Sequence, residues 1–202
     1  MNLLLSSSFY TFGNKIDTIP GLDLGQKNVV CVVTASLGEV DASWLEPEIL
    51  QIRKRSKQFD TYDITGKSPK DLDADFQRYD VIYVAGGNTY FLLEKVKKSG
   101  FDHVIRRKLE QGNFYFGSSA GAILACPRID FIESMDDPSK ANLKDYAGLS
   151  LVDFLILPHT DSPFYGEETQ KIAKKLSSGF ERIIGLRDDQ ALYLQGRYME
   201  IF

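Results

Sequence analysis

Ser119 lies in Phe116-Gly117-Ser118-Ser119-Ala120-Gly121-Ala122. An apolar, aromatic run, Asn113-Phe114-Tyr115-Phe116, precedes it and reads as a buried strand. Ile123-Leu124-Ala125-Cys126 follows and reads as the start of a helix. Gly-x-Ser-x-Gly at a strand-to-helix junction is the pattern of a nucleophile elbow. Glycines at 117 and 121 let the backbone turn sharply and let neighbouring chain approach. The Ser119 hydroxyl then stands at the strand's C-terminal end as a candidate nucleophile. The N–H of Ala120 faces the place where an oxyanion would form. A plain small-residue turn gives the same pattern, so the partners must be found elsewhere in the chain.

Two segments offer them. Val81-Ile82-Tyr83-Val84-Ala85-Gly86-Gly87-Asn88-Thr89 reads as a second buried strand ending in Gly-Gly, with Asn88 or Thr89 placed to cap a helix. A serine hydrolase needs two oxyanion donors, one after the nucleophile and one from another loop. Gly87 is the candidate for the second, against the plainer reading of a tight turn. Phe154-Leu155-Ile156-Leu157-Pro158-His159-Thr160-Asp161 is a third strand, ending in Pro-His. The chain has two histidines. His103 lies in a helical stretch of mixed polarity and reads as a surface residue. His159 lies at a strand's C-terminal end, the edge where open parallel sheets bind ligands, and is the candidate base.

Gly-Gly-Asn-Thr at 86–89, Gly-x-Ser-Ala-Gly-Ala with Ala125-Cys126-Pro127 after it, Pro158-His159 and Ile184-Gly185-Leu186 together resemble the aspartyl dipeptidase (peptidase E) family. Cyanophycinase is similar in the same way. The resemblance runs from Leu3-Leu4-Leu5-Ser6-Ser7 to Ala191-Leu192. It implies a flavodoxin-like α/β sandwich related to class I glutamine amidotransferases, with serine where those relatives carry cysteine. It implies Ser119 as nucleophile, His159 as base, and an oxyanion hole from the N–H groups of Gly87 and Ala120.

The third triad member has two candidate places. The family's aspartate shortly after the elbow helix aligns with Ser134, which would move the role to Glu133 or Asp136. The acid after Ile184-Gly185-Leu186 aligns with Asp188, at the end of an expected strand, and Asp188 is favoured. In aspartyl dipeptidases an arginine on the helix after the Pro-His loop binds the substrate's N-terminal aspartate. Gln170 aligns with that arginine and cannot make its charge-assisted fork to a carboxylate. Asn88 and Gln170 are carried as substrate-binding candidates. Strict cleavage after aspartate is not expected. Glu167 and Glu168 read as a solvated helix N-terminus in favourable contact with the helix dipole.

The remaining features bound the answer. The 202 residues fit one domain, 1–202, with a sizeable core. A net charge of −4 argues against a nucleic-acid groove. The basic clusters near 53–55, 95–98 and 106–108 have acidic neighbours and read as solvated faces. The opening Met1-Asn2-Leu3-Leu4-Leu5 lacks a basic leader and reads as a first strand, and no stretch has the length of a membrane span. Cys31 and Cys126 read as buried free thiols in a reducing, cytoplasmic setting. With two histidines and two separated cysteines, no zinc site is expected, and no cofactor. Relatives suggest a homodimer.

The elements that must position these residues alternate. Strands are expected near 2–7, 29–36, 59–64, 80–85, 113–118, 151–157 and 182–186, and a hairpin over 191–195 and 197–202. Helices are expected near 42–57, 89–98, 101–111, 120–126 and 167–178. This predicts an α/β three-layer sandwich: a mostly parallel sheet covered by helices on both faces, with Gly87, Ser119 and His159 along one edge. The polar stretch 130–150 reads as a long loop bordering the site as a flap. The reading is a serine-type, dipeptidase-like enzyme acting on small peptides. The alternatives are an amide hydrolase acting on isopeptide or β-linked substrates, and a non-catalytic ligand-binding relative.

Overall fold

The computed structural model describes residues 1–179 and 181–202. In chain order its elements are β1 (Asn2–Ser6), α1 (Phe9–Phe12), β2 (Asn28–Val32), α2 (Leu45–Arg53), β3 (Gln58–Tyr62), α3 (Pro69–Asp75), β4 (Val81–Val84), α4 (Thr89–Ser99), α5 (Phe101–Glu110), β5 (Phe114–Ser118), α6 (Ala120–Leu124), β6 (Leu155–Leu157), α7 (Gly166–Leu176), β7 (Ile183–Gly185), β8 (Ala191–Gln195) and β9 (Tyr198–Ile201).

Seven strands form the main sheet in the order β3-β2-β4-β5-β1-β8-β9. The first five run parallel, and β8 and β9 are antiparallel additions beside β1. The apolar runs explain this architecture. A strand buried on both faces reads as continuously apolar, and β4 (Val-Ile-Tyr-Val) is buried at every residue. Successive side chains point to opposite faces. Leu3 and Leu5 join one core with α3 to α6, while Leu4 joins another with α1 and α2. The sheet is therefore the middle layer of three.

One expectation is corrected. The segments expected as strands 151–157 and 182–186 do not enter the main sheet. Their strand portions, β6 and β7, are three residues each and pair in parallel as a separate two-stranded sheet. Residues 151–154 are bends that hydrogen-bond to the chain just past α6, Leu151 N–H donating to the Ala125 carbonyl at 2.9 Å. On the main sheet, the side of β1 away from β5 is already taken by β8. Smaller differences are local. β2 ends at Val32 and gives way to a 3-10 turn over Thr34–Gly38, α2 is shorter than 42–57, and α1 and α3 were not anticipated.

The stretch 130–150 is an irregular segment with two 3-10 turns, tied down along α4. The Asn88 side chain donates to the Asp137 carbonyl at 3.1 Å, the Thr89 N–H to Asp136 at 2.7 Å, and the Asn142 N–H to Glu94 at 3.1 Å. Among the described residues no helix is long and apolar enough to cross a membrane.

Candidate active site

Ser119 is the residue between β5 and α6. Its backbone has φ 50° and ψ −110°, a conformation that costs a non-glycine residue roughly 1–3 kcal/mol. Neighbouring bonds hold it there. Its N–H donates to the Ser6 carbonyl at 3.1 Å, and its carbonyl accepts from Ala122 and Ile123 at 2.9 Å each. The turn closes tightly against β4. A Cβ on Gly121 would sit 2.1 Å from the Val84 carbonyl oxygen, so no side chain fits there.

His159 follows β6 with φ 63° and lies beside β1. Its N–H donates to Ser7 Oγ at 2.7 Å. Its ring places Nε2 2.9 Å from Ser119 Oγ and Nδ1 2.6 Å from Asp188 Oδ1. Asp188 follows β7 and receives a second bond, from the Ser7 hydroxyl, at 2.9 Å. Burial pushes the Asp188 carboxyl up. The hydrogen bond and charge of His159 and the bond from Ser7 outweigh it and hold the carboxyl below its ordinary value. An ionised Asp188 only accepts, so Nδ1 carries the proton and Nε2 is left to accept from the serine hydroxyl. A hydroxyl bonded to an imidazole that a carboxylate orients is arranged for proton transfer.

Ser119, His159 and Asp188 share the wall of a cavity of about 540 Å³ with Gly86, Gly87 and Asp136. Gly87 has φ 127°. Among the described residues, neither the Gly87 N–H nor the Ala120 N–H donates to a protein acceptor. No group of three or more histidine, cysteine, aspartate or glutamate side chains among those residues is arranged to hold a metal ion.

Other candidates lie elsewhere. Asn88 is buried and caps α4, its side chain accepting from the Phe91 N–H at 2.9 Å, and it does not line the cavity. Gln170 is exposed on α7 and does not line it either, because Thr169, Ile172 and Leu176 form the buried face of that helix. Ser162, Phe164 and Tyr165, just before α7, line it instead. Glu133 is exposed and away from the cavity wall. Asp136 lines the cavity, but the carboxyl bonded to His159 is that of Asp188. Burial pushes Asp136 up to about 6, against the bonds from Thr89. His103 is exposed on α5, and Cys31 and Cys126 are buried free thiols.

Among the site residues that were not anticipated are Ser7 and Glu48, both buried and hydrogen-bonded within it. Ser7, fully buried, bonds to both His159 and Asp188; its signal was a run of three serines, Ser6-Ser7-Ser8, after an apolar run. Glu48, in the first turn of α2, lines the cavity at 4% exposure. It accepts from the Tyr10 N–H at 3.1 Å and the Tyr83 hydroxyl at 2.8 Å. Burial pushes its carboxyl up to about 7, against those two bonds and the charge of His159.

That shift has a thermodynamic consequence. A carboxyl that titrates higher in the fold than in the unfolded chain holds its proton more tightly when folded. Its contribution to stability is complete below the ordinary value of 4.5 and is lost as pH rises through about 7. The titratable groups facing Glu48 are Cys31, Tyr83 and His159, and the thiol and phenol are raised, which keeps both neutral over this range. Glu48→Gln removes the loss. The stability of the variant relative to the native chain should rise by about 2–3 kcal/mol between pH 5 and pH 8.5, read by urea denaturation. An unchanged difference would mean that Glu48 titrates as an ordinary surface acid.

The fold and this site define an α/β hydrolytic enzyme class, and comparison with known proteins specifies it. The sequence model of peptidase family S51 matches residues 3–202, and the chain belongs to that family; it is a serine peptidase. An uncharacterized peptidase of Listeria monocytogenes is 34% identical over 202 residues, covering 97% of this chain and 95% of the relative. Peptidase E of Shewanella amazonensis is 31% identical over 123 residues, 58% of this chain and 51% of that one. A crystal structure from Listeria monocytogenes EGD-e bearing the peptidase E designation superposes with a TM-score of 0.91 at 32% identity, covering 100% of this chain and 97% of that one.

Proposed function

We propose that residues 1–202 act as a single dipeptidase-like unit in which Ser119 is the nucleophile, His159 the general base and acid, and Asp188 the orienting carboxylate. The observation that carries this reading is the unbroken hydrogen-bonded chain from Ser119 Oγ through His159 to Asp188. Ser119 Oγ attacks the scissile carbonyl carbon while its proton passes to His159 Nε2. Ionised Asp188 stabilises the imidazolium that forms. The carbonyl oxygen becomes an oxyanion and takes the free N–H groups of Gly87 and Ala120. The intermediate collapses, the amine leaves with the proton from His159, and an acyl ester remains on Ser119. Water, deprotonated by His159, then releases the acid and restores the serine.

A cavity of about 540 Å³ suits short peptides over folded protein. The experiment is active-site labelling. A fluorophosphonate should form one adduct, mapped to Ser119 by peptide mass, and abolish hydrolysis of a dipeptide and tripeptide panel. Hydrolysis that survives complete exposure to the reagent with Ser119 unlabelled would overturn the assignment. So would a native chain that cleaves no short peptide.

A further inference from the structure

The cavity wall is unusual in charge. Glu39, Asp41, Glu48, Asp136 and Asp188 line it, and neither lysine nor arginine does. Among the acids held in ion pairs elsewhere are Glu94 with Lys95 and Lys98, Asp189 with Lys15, and Glu181 with Arg128. In the cavity, Asp188 has His159, but among the described residues Glu39, Asp41, Glu48 and Asp136 have no ion-pair partner. Glu48 carries the largest burden, because a carboxylate taken out of water without a counter-charge is costly. Its two hydrogen bonds fix its position and supply no positive charge.

The surrounding surface suits a cation. Trp44 lies one helical turn before Glu48, with its ring edge 3.4 Å from where a Cβ on Gly86 would stand; the Ser119 Cβ is 3.3 Å from that same point. Tyr10, Trp44 and Tyr165 contribute aromatic surface to the same cavity, and aromatic faces attract ammonium and guanidinium groups.

We infer that Glu48 is a specificity-determining residue that selects peptides carrying a positively charged side chain beside the scissile bond, as in lysyl or arginyl substrates. This rests on the peptidase reading of the site. A lysine side chain brings the counter-charge that the wall lacks, whereas an aspartate meets like charges. Gln170, exposed and outside the cavity, offers nothing to an acidic residue.

The test uses binding and turnover separately. The Ser119→Ala protein is titrated calorimetrically with Lys-Ala, norleucyl-Ala and Asp-Ala. All three share the α-ammonium group, and norleucine matches the lysine stem without its charge. Lys-Ala should bind about tenfold or more tighter than norleucyl-Ala, with Asp-Ala the weakest. Adding Glu48→Gln should collapse the Lys-to-norleucine gap. Equal affinity for Lys-Ala and norleucyl-Ala, tighter binding of Asp-Ala, or no measurable binding of Lys-Ala overturns the inference, even if the Glu48 variant does not fold. Binding of Lys-Ala by Ser119→Ala with no turnover by the native chain would instead overturn the peptidase reading and leave the charge selection standing.

Discussion

Asp188→Asn should lower kcat for short peptides by about 10⁴-fold while leaving the fold intact, the size of loss that follows when a triad acid is replaced by its amide. The expectation follows from proton positions. Asp188 is held ionised and accepts from His159 Nδ1 at 2.6 Å, which leaves Nε2 unprotonated and facing Ser119 at 2.9 Å. An asparagine NH₂ in that place donates to Nδ1, so the ring proton moves to Nε2. The imidazole then donates towards the serine and can no longer take its proton. Ser7 still holds the His159 backbone, so the geometry survives and the tautomer changes. Steady-state kinetics, with circular dichroism as the fold control, decides it. A kcat within about tenfold of the native value would move the orienting role to another acid of the cavity wall, with Asp136 the first to examine.

One methyl group at Gly87 should be nearly as damaging. Gly87 has φ 127°, a conformation that side chains rarely adopt, and an added Cβ would stand 2.3 Å from the carbonyl carbon of Ala35 and 2.5 Å from the N–H nitrogen of Ser36. Those contacts are backbone and cannot rotate away. Gly87→Ala must displace either the turn after β4 or the 3-10 turn after β2. The expected cost is about 2–4 kcal/mol of stability by urea denaturation. Displacing the Gly87 N–H, the proposed second oxyanion donor, should also reduce kcat by about 10²–10³-fold at temperatures where the variant is folded. A stability loss with unchanged kcat would leave Gly87 as a turn residue only and return the second oxyanion donor to an open question of geometry.

Much of this molecule was legible before its structure. The inner parallel strands of the main sheet were readable because a strand buried on both faces has few polar positions to blur it, as in Val81–Val84 and Phe114–Ser118. The Ser119 turn was readable because its glycines have no substitute. The separate pairing of β6 with β7 was not, since Leu155-Ile156-Leu157 has the same apolar pattern in either sheet, and only the position of β8 beside β1 excludes one of them. α3 was overlooked because its stretch is mostly polar, with Leu72 its buried residue, although Ser68 and Asp71 form a capping box that could have marked its start. Glu48 was illegible for another reason. A glutamate in a helix's first turn ordinarily signals a favourable dipole contact at the surface, and burial by Tyr10 and Tyr83 is set by chain distant in sequence. Asn88 and Gln170 show the converse, residues whose place along the chain suggested a ligand: Asn88 caps α4 and Gln170 lies on the exposed face of α7.

The wiring of Ser7 bears on when the molecule becomes competent. Ser7 bonds to His159, 152 residues away, and to Asp188, 181 residues away, and the backbone of Ser119 is anchored to its neighbour Ser6. A ribosome therefore releases the earliest of these groups long before the last, and contacts of such separation form late in folding. A nascent chain that has extended past Ser119 holds that serine but neither His159 nor Asp188. On the proposed mechanism, hydrolytic capacity should thus arrive in one step, after Asp188 has been made and β1 has gained neighbours on both sides.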